Sequence, residues 1–241
     1  MEKNNIITRK KRILLKLSGE LFSSDLSHID RNSILKIVSE IKSVSDNKNF
    51  ELAIIVGGGN IWRGADNNFM DRVHADKMGM LATVINAIAL SDLLNKNSIK
   101  SRVFSNDIVT GLVEKFDKDL VVKCIEKGEI VIFAGGTGRV LSTTDTSSAV
   151  RAIDIKADVL LKATKVDGIY NADPKKNKNA VKFEKISFDD AINKQLKVMD
   201  LQSFSLCKNM NIPIIVFDFC KKGNLKKVLD GEKIGTMVNG L

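Results

Sequence analysis

Two glycine-rich segments are the parts of this sequence best suited to hold a ligand. Residues 57–59 (Gly-Gly-Gly) directly follow one apolar segment, and residues 135–138 (Gly-Gly-Thr-Gly) directly follow another. Clustered glycines are typical of backbone that bends sharply or approaches a ligand closely. At the carboxyl edge of a parallel sheet, such loops expose N–H groups that can bind phosphate. Two of them in one chain therefore predict two phosphate-bearing ligands that meet face to face.

Three charged residues near these loops could act on phosphate. Lys16 interrupts the apolar run 13–17, where a buried ammonium is costly unless it is paired. It could bind phosphate, lie at the edge of the sheet, or pair with a carboxylate of the core. Lys162 falls near the end of a second apolar segment, which favours a site there over a solvated lysine. Asp145 is either an ordinary helix N-cap or a carboxylate that holds the Lys16 ammonium or supports Mg²⁺.

Two further polar residues allow a binding and a structural interpretation. Arg63 follows the first glycine loop, where a guanidinium fork would match phosphate oxygens, although a solvated arginine fits the spacing equally well. Asp76 lies at the start of a predicted helix. It could cap that helix, or it could accept hydrogen bonds from both hydroxyls of a ribose.

Apolar segments of strand type alternate with segments of helical periodicity for most of the length. Residues 34, 37, 38 and 41 are apolar at helical spacing, and Asp30 is a plausible N-cap before them. The predicted strands are 13–17, 51–56, 99–104, 129–134, 158–163 and 213–218. The predicted helices are 30–44, 75–94, 118–127, 146–156, 187–193, 201–210 and 224–229. This alternation predicts an α/β fold, a three-layer α/β/α sandwich with a mostly parallel central sheet.

Length and composition limit the alternatives. The 241 residues are 44% hydrophobic and carry a net charge of +9, of which +4 lies in a basic tail at 1–12. No aromatic residues interleave with the lysine runs, and the chain has one Trp and one Tyr, so a nucleic-acid partner is not expected. A basic body suits small anionic substrates. The three cysteines have no CxxC spacing, the N-terminus has no apolar signal segment, and the apolar run 78–91 is too short to span a bilayer. We expect a cytoplasmic protein that forms one domain, with two lobes that divide near Phe133.

Common nucleotide-binding and catalytic motifs are absent from the sequence. No GxxxxGK[ST], complete GxGxxG, HRD or DFG motif occurs, and neither His28 nor His74 has a GxSxG partner. P-loop proteins, dinucleotide-binding domains, protein kinases and serine hydrolases are therefore not indicated.

The segments above, taken in order, resemble the bacterial uridylate kinases (UMP kinases) of the amino acid kinase superfamily. The resemblance runs from Lys11 to Val238, and six stretches carry it. They are 11–20 (KRILLKLSGE), 57–64 (GGGNIWRG), 76–83 (DKMGMLAT), 143–145 (TTD), 162–168 (KATKVDG) with 172–174 (ADP), and 196–200 (LKVMD). The resemblance implies phosphoryl transfer from ATP to UMP, giving UDP and ADP in pyrimidine nucleotide biosynthesis.

The resemblance also assigns roles to individual residues. It implies that Lys16, Asp145 and Lys162 are catalytic, with Lys162 facing the transferring group. The implied ATP-binding residues are Lys16, Gly59, Arg63, Thr164, Tyr170 and Asp173. The implied UMP-binding residues are Gly58, Asp76, Thr137, Gly138, Arg139, Val140, Leu141, Ser142, Thr143 and Thr144. No protein metal site is implied, because Mg²⁺ would be held mainly through the nucleotide phosphates.

Members of this family are homohexamers that UTP inhibits and that GTP often activates. Two departures bear on these properties. Residues 139–142 (Arg-Val-Leu-Ser) replace an Asn-Pro-Phe-Phe/Tyr-type stretch, so the uracil contacts of this segment should differ. Ser91 and Asn95 replace a basic residue and a histidine of the GTP site and only Arg102 remains, which weakens the case for GTP as an activator.

Two other functions remain open on the residues alone. A sister kinase could phosphorylate a carboxylate or a carbamate, but residues 76–83 argue against it because those acceptors have no ribose. A catalytically silent nucleotide sensor would not need Lys16, Asp145 and Lys162 together.

Overall fold

A central β-sheet with helices on both faces organises the chain. The computed structural model describes residues 10–64, 69–106, 111–174, 176–196 and 198–240. The strands are β1 (Lys11–Leu17), β2 (Phe50–Val56), β3 (Ser101–Ser105), β4 (Glu114–Lys115), β5 (Ile130–Ala134), β6 (Val159–Thr164), β7 (Ile169–Tyr170), β8 (Lys182–Phe183), β9 (Lys185–Ser187), β10 (Ile214–Asp218) and β11 (Thr236–Asn239). The helices are α1 (Arg31–Ser45), α2 (Arg72–Lys96), α3 (Lys118–Glu126), α4 (Thr144–Asp154), α5 (Phe188–Asn193), α6 (Leu201–Asn209) and α7 (Asn224–Leu229).

The main sheet has nine strands in the order β4-β3-β5-β2-β1-β6-β10-β11-β9. Its neighbouring strands run parallel except at the β10–β11 pair. β1 has β2 on one side and β6 on the other, so the chain builds outward in both directions from its first strand. In open parallel sheets, a crevice forms at the carboxyl ends of the strands where the order reverses in this way.

Helices cover both faces of the sheet, which confirms the predicted three-layer α/β/α architecture. On one face Ile13, Leu15 and Leu17 of β1 pack with apolar residues of α1, α2 and α7. On the other face Leu14 packs with residues of α3 to α6. Because both faces are covered, the inner strands are almost continuously apolar rather than alternating. A polar residue in such a strand is therefore an exception that needs a partner.

The predicted elements are present, with several differences at their bounds. β1 begins at Lys11, and Arg12 is buried with its Nε 2.7 Å from Glu51, so these two residues do not belong to a solvated tail. The rest of the predicted tail, residues 1–9, lies outside the described residues. α2 begins at Arg72, three residues earlier than predicted, because Asp71 accepts hydrogen bonds from the first free N–H groups. The short strands β4, β7, β8 and β9 and the four-residue strand β11 were not predicted.

α2 is buried on one side only. It packs on the sheet and against α1, while Met78, Leu81 and Ile85 are exposed at helical spacing on the opposite side. One 18-residue window of α2 has a mean hydropathy of 1.4 and is 44% buried, so by length and composition alone the helix could cross a membrane. A core helix of a globular protein meets the same criterion, so this observation carries little weight.

Candidate phosphate-binding crevice

Two lysines face each other across neighbouring strands at the carboxyl edge of the sheet. Lys16 of β1 and Lys162 of β6 occupy the same level of the parallel register. Side chains at the same level of adjacent strands project to the same face, so both ammonium groups point towards the α4 side of the sheet. Each lysine is more than nine-tenths buried. Two buried like charges side by side require a shared counter-charge.

Asp145, in the first turn of α4, supplies that counter-charge. Its Oδ1 lies 3.1 Å from Lys16 Nζ and its Oδ2 lies 2.8 Å from Lys162 Nζ. Lys16 also donates to Ser18 Oγ at 3.3 Å, and Lys162 donates to the carbonyl oxygen of Val198. The first turn of a helix favours an anionic side chain, which adds to the stability of the carboxylate. We call Lys16, Asp145 and Lys162 the ion triad.

Burial and mutual charge set the protonation of the ion triad. Burial alone would raise the pKa of Asp145, but the Lys16 and Lys162 ammonium groups outweigh it and lower that pKa below its ordinary value. Burial lowers the pKa of Lys162 to about 8, and the neighbouring Lys16 charge acts in the same direction against the attraction of Asp145. At neutral pH Asp145 is therefore ionised and Lys162 is protonated.

The ion triad borders a crevice of about 440 Å³ that lies above the carboxyl ends of the central strands. Both glycine segments contribute to its wall. The lining residues are Lys16, Ser18, Gly19, Glu20, Gly57, Gly58, Gly59, Trp62, Arg63, Gly64, Arg72, Asp76, Gly79, Met80, Thr83, Gly136, Ser142, Thr143, Thr144, Asp145 and Ser147. Lys162 is not among them, although its partner Asp145 is.

The first glycine segment is required by close packing rather than by unusual backbone angles. A Cβ at Gly58 would lie 2.8 Å from Ala82 Cβ and 2.9 Å from the carbonyl oxygen of Gly79, both in α2. Contacts this short with a helix backbone cannot be relieved by rotating a side chain. Glycine at this position therefore lets α2 approach the end of β2 and form one wall of the crevice.

The second glycine segment depends on backbone that other residues rarely adopt. Gly135, Gly136 and Gly138 have φ of +72°, +58° and +74°. The backbone N–H of Gly135 donates to Thr83 Oγ1 at 2.7 Å, which ties this loop to α2. No separate role was predicted for Thr83, although it ends the family-like stretch 76–83. We call residues 135–138 the second glycine loop.

Arg63 and Asp76 lie on the crevice wall and both have partners there. Arg63 contacts Glu20 at 2.5 Å and donates from Nε to the carbonyl oxygen of Gly59. Asp76 accepts from the Leu141 backbone N–H at 2.8 Å and pairs with Arg72 at 2.8 Å. The alternative that Asp76 is a helix cap is wrong, because Asp71 caps α2 one turn earlier.

Asp145 is not a helix cap either, because the side chain of Thr143 caps α4. The cap is held by Asp200, whose carboxylate accepts from the hydroxyls of Thr143 and Thr146. Burial acts to raise the pKa of Asp200, but hydrogen bonds from Ser203 and Thr143 lower it below its ordinary value. Asp200 and the carbonyl of Val198 support the site and were missed, although both lie in the LKVMD stretch that carries the resemblance.

Several residues predicted from the resemblance do not line the crevice in this structure. They are Thr137, Gly138, Arg139, Val140 and Leu141 of the predicted UMP-binding set, and Thr164, Tyr170 and Asp173 of the predicted ATP-binding set. Thr164 is buried at the end of β6 and exchanges hydrogen bonds with the backbone of Val166. The Tyr170 hydroxyl donates to Asp167 at 2.7 Å, and Asp173 is exposed. Their ligand contacts stay predictions.

The arrangement suits the binding of two negatively charged groups close to each other. Ammonium and guanidinium groups from Lys16, Arg63 and Arg72 reach the wall of the crevice. Gly57, Gly58 and Gly59 of the first glycine segment and Gly136 of the second border the same space. The N–H groups of Gly57, Gly135 and Gly138 donate to acceptors within the protein. Within the described ranges, no three His, Cys, Asp or Glu side chains come together as a metal site. The chemistry that such a crevice can support is transfer of a charged group between two anionic ligands.

Comparison with known proteins gives a consistent result along the chain. The model of the amino acid kinase family matches residues 11–218. A uridylate kinase of Bacteroides thetaiotaomicron is 47% identical over 236 residues, which are 97% of this chain and the whole of that protein.

Comparison with solved structures also finds UMP kinases. A UMP kinase from Bacillus anthracis superimposes with a TM-score of 0.91 at 35% identity, covering 96% of this chain and 97% of that one. A UMP kinase from Ureaplasma parvum superimposes with a TM-score of 0.89 at 39% identity, covering 96% and 100%.

Proposed function

The chain belongs to the uridylate kinases of the amino acid kinase family, and we infer that it transfers the γ-phosphoryl group of ATP to UMP, giving UDP and ADP. The single observation that carries this inference within the molecule is the ion triad at the edge of a crevice walled by two glycine segments. A buried pair of lysines on one carboxylate is costly to maintain, and stabilising a migrating phosphoryl group explains why it is kept.

The reaction needs charge neutralisation more than proton transfer. The phosphate of UMP is already an anionic nucleophile, so no side chain has to remove a proton from it. The barrier comes from bringing two polyanions together and from the charge on the equatorial oxygens during in-line transfer. We propose that Lys16 contacts these oxygens directly, and that Lys162 acts through Asp145 by fixing its carboxylate and adding positive charge.

We propose that the two nucleotides meet above the junction of β1 and β6. ATP would place its phosphates on Lys16, Gly59 and Arg63 and its nucleoside towards Thr164, Tyr170 and Asp173. This division makes an acceptor lobe of the strands before about residue 133 and an ATP lobe of those that follow. The sheet order supports the proposal, because β2 to β5 lie on one side of β1 while β6, β10, β11 and β9 lie on the other.

UMP would bind between Gly58, Asp76 and the segment 137–144. Asp76 would accept hydrogen bonds from the ribose hydroxyls. Its Oδ2 already accepts a hydrogen bond from the Leu141 backbone at 2.8 Å, so this carboxylate is oriented towards the same segment.

A divalent metal is generally required when a kinase transfers a nucleotide phosphate, and we propose Mg²⁺. Both oxygens of Asp145 face lysine ammonium groups, so this carboxylate is not free to be the main ligand. The residues of the crevice fit a metal held by phosphate oxygens and water, the usual arrangement for Mg²⁺ with nucleotides. When bound, Mg²⁺ supplies further neutralisation of the phosphate charge.

A coupled assay of ADP release over UMP, CMP, acetylglutamate and carbamate tests the proposed function. We expect UMP to give the highest kcat/KM, and activity to disappear when the metal is chelated. Preference for acetylglutamate or carbamate would identify a sister kinase instead. Tight DNA binding that persists at high salt, with no ADP release from any acceptor, would favour a nucleic-acid partner.

We propose UTP as an inhibitor, because it carries the uridine of the acceptor and additional phosphate charge. GTP is a weaker candidate as an activator. Ser91 shares a hydrogen bond with Ser101 at 2.9 Å, Asn95 bonds to Ser101, and Arg102 forms a paired contact with Glu114. All three residues are thus engaged within the subunit. Titrating UTP and GTP into the UMP assay tests both effects.

The exposed apolar stripe of α2 supports assembly into a homohexamer, which we propose as the functional form in the cytoplasm. Leu81 is 54% exposed at the centre of the stripe. A charge at this point should break an interface without touching the crevice. We expect Leu81→Glu to elute as a smaller species in size-exclusion chromatography with light scattering, whereas Leu26→Glu, at an exposed site on another surface, should not change the assembly.

A further inference from the structure

Two side chains that do not touch the crevice hold the second glycine loop in place. Asn106 follows β3 and donates from Nδ2 to the carbonyl oxygen of Gly136 at 3.1 Å. Arg151 of α4 donates from one of its terminal nitrogens to Asn106 Oδ1 at 2.7 Å. Gly136 itself lines the crevice. A continuous path of hydrogen bonds therefore connects a buried guanidinium to the wall of the acceptor site.

The direction of each hydrogen bond in this path is fixed by chemistry. A guanidinium can only donate, so the atom of Asn106 that faces Arg151 must be the amide oxygen. A carbonyl oxygen can only accept, so the atom that faces Gly136 must be the amide nitrogen. Arg151 thus sets the orientation of the Asn106 amide, and that orientation presents a donor to the loop.

Arg151 is held rigidly and at some cost. Its side chain is about 6% exposed, and the guanidinium lies 3.7 Å from the ring centroid of Phe116 and 2.8 Å from an oxygen of Asp154. Burial lowers the pKa of Arg151, with Asp154 opposing that effect. A hydrophobic residue would fill the same place without this cost. Packing alone therefore does not explain why an arginine occupies position 151.

The second glycine loop needs such an external support. Three of its four residues have positive φ, and glycine backbone is the most flexible in the chain. Its other hydrogen bonds are few: the Gly138 N–H donates to the Gly135 carbonyl at 3.1 Å, the Arg139 N–H donates to Thr137 Oγ1 at 3.2 Å, and the Gly135 N–H donates to Thr83 Oγ1. The hydrogen bond from Asn106 fixes the loop at Gly136, the residue that lines the crevice.

We infer that Arg151 and Asn106 are positioning residues for the acceptor: they set the place of the Gly136 backbone and thereby the affinity for the acceptor nucleotide. This inference rests on the proposed function for its kinetic consequence. The alternative is that Arg151 and Asn106 only stabilise the packing of α4 against β3 and β4. The two can be separated, because a purely structural role would not act selectively on one substrate.

Asn106→Asp is the most informative variant, because it keeps the shape and strengthens the contact with Arg151 while it replaces the donor to Gly136 by a carboxylate oxygen that repels the Gly136 carbonyl. We expect KM for UMP to rise about fivefold, the equivalent of one ordinary hydrogen bond, with KM for ATP within twofold of the parent. The melting temperature should be unchanged or higher. Arg151→Lys keeps the charge near Asp154 but loses the planar fork, and we expect a smaller rise in the same KM.

The matched control is Asn179→Asp, the same change on an exposed loop, and it should alter neither KM. Equal changes in both KM values, or a loss of kcat that follows a lower melting temperature, would assign Arg151 and Asn106 a structural role and overturn the inference. An unchanged KM for UMP in Asn106→Asp would do the same.

Hydrogen exchange gives a readout that does not depend on activity. The Gly138 amide should exchange faster in Asn106→Asp than in the parent, because its acceptor belongs to the loop that has lost its support. Equal exchange rates would overturn the inference even if the chain had no UMP-dependent activity, whereas absence of that activity with faster exchange would contradict only the proposed function.

Discussion

Replacing Asp145 by asparagine removes the negative charge that lies between two buried ammonium groups. In the folded protein Lys162 keeps its proton up to about pH 8, whereas an unfolded lysine keeps it up to about 10.5. Below pH 8 the buried ammonium therefore costs stability, on the order of 3 kcal/mol at 1.36 kcal/mol per pKa unit. The cost disappears as the pH rises from 8 to 10.5, because the folded state releases its proton first.

Without the Asp145 charge the pKa of Lys162 falls further, and we expect the side chain to be neutral in the folded variant at pH 6 and above. The variant must then give up the proton that the parent retains. This costs about 1 kcal/mol at pH 7, roughly 3 kcal/mol at pH 6 and little at pH 8. Loss of the pair between Lys16 and Asp145, at 3.1 Å, adds to this deficit.

Urea unfolding of parent and Asp145→Asn at pH 6, 7 and 8, at one protein concentration, measures this deficit. We expect this deficit in the free energy of unfolding to shrink as the pH rises, with the slope that corresponds to the release of one proton. In a Lys162→Met background the pH dependence should vanish. Asp189→Asn removes an exposed partner of Lys208 and should cost less than about 0.5 kcal/mol at every pH. A deficit of equal size at pH 6 and pH 8 would refute the protonation scheme.

Three further substitutions test the crevice. Lys16→Ala should lower kcat by about 100-fold or more while circular dichroism shows a retained fold, and near-normal turnover would remove Lys16 from the mechanism. Asp76→Ala should raise KM for UMP roughly tenfold with a smaller effect on KM for ATP. If KM for UMP is the same in variant and parent, Asp76 has only a structural role through its contacts with Arg72 and the 137–144 segment. Gly58→Ala should destabilise the fold by about 1–3 kcal/mol, because its Cβ would lie 2.8 Å from Ala82; an unchanged melting temperature would show that α2 can move away.

Most of the core elements could be predicted because their signals are local. The helical spacing of Ile34, Ile37 and Ile41 is a property of adjacent turns, and Asp30 caps the helix that contains them, as predicted. β11 could not be predicted in this way. It has four residues, and what makes it a strand is its antiparallel pairing with β10, a partner about twenty residues away.

The candidate site was predictable in its residue types but not in its geometry. Lys16 and Lys162 stand out because charge is rare in covered strands, and the sequence alone therefore identifies them. Their contact through Asp145 depends on β6 lying next to β1, a neighbour relation that no local pattern encodes. Asp200 was missed for the same reason, because its contacts with Thr143 and Thr146 arise only when α6 packs against α4.

The shared level of Lys16 and Lys162 has a consequence for how this chain can change over generations. Deleting or inserting one residue within β1 or β6 would turn the lysine of that strand to the opposite side of the sheet, away from Asp145. Gains and losses of sequence length should therefore be confined to the connections between elements. Among homologous sequences, Lys11–Leu17 and Val159–Thr164 should align without gaps even where the residues themselves have diverged.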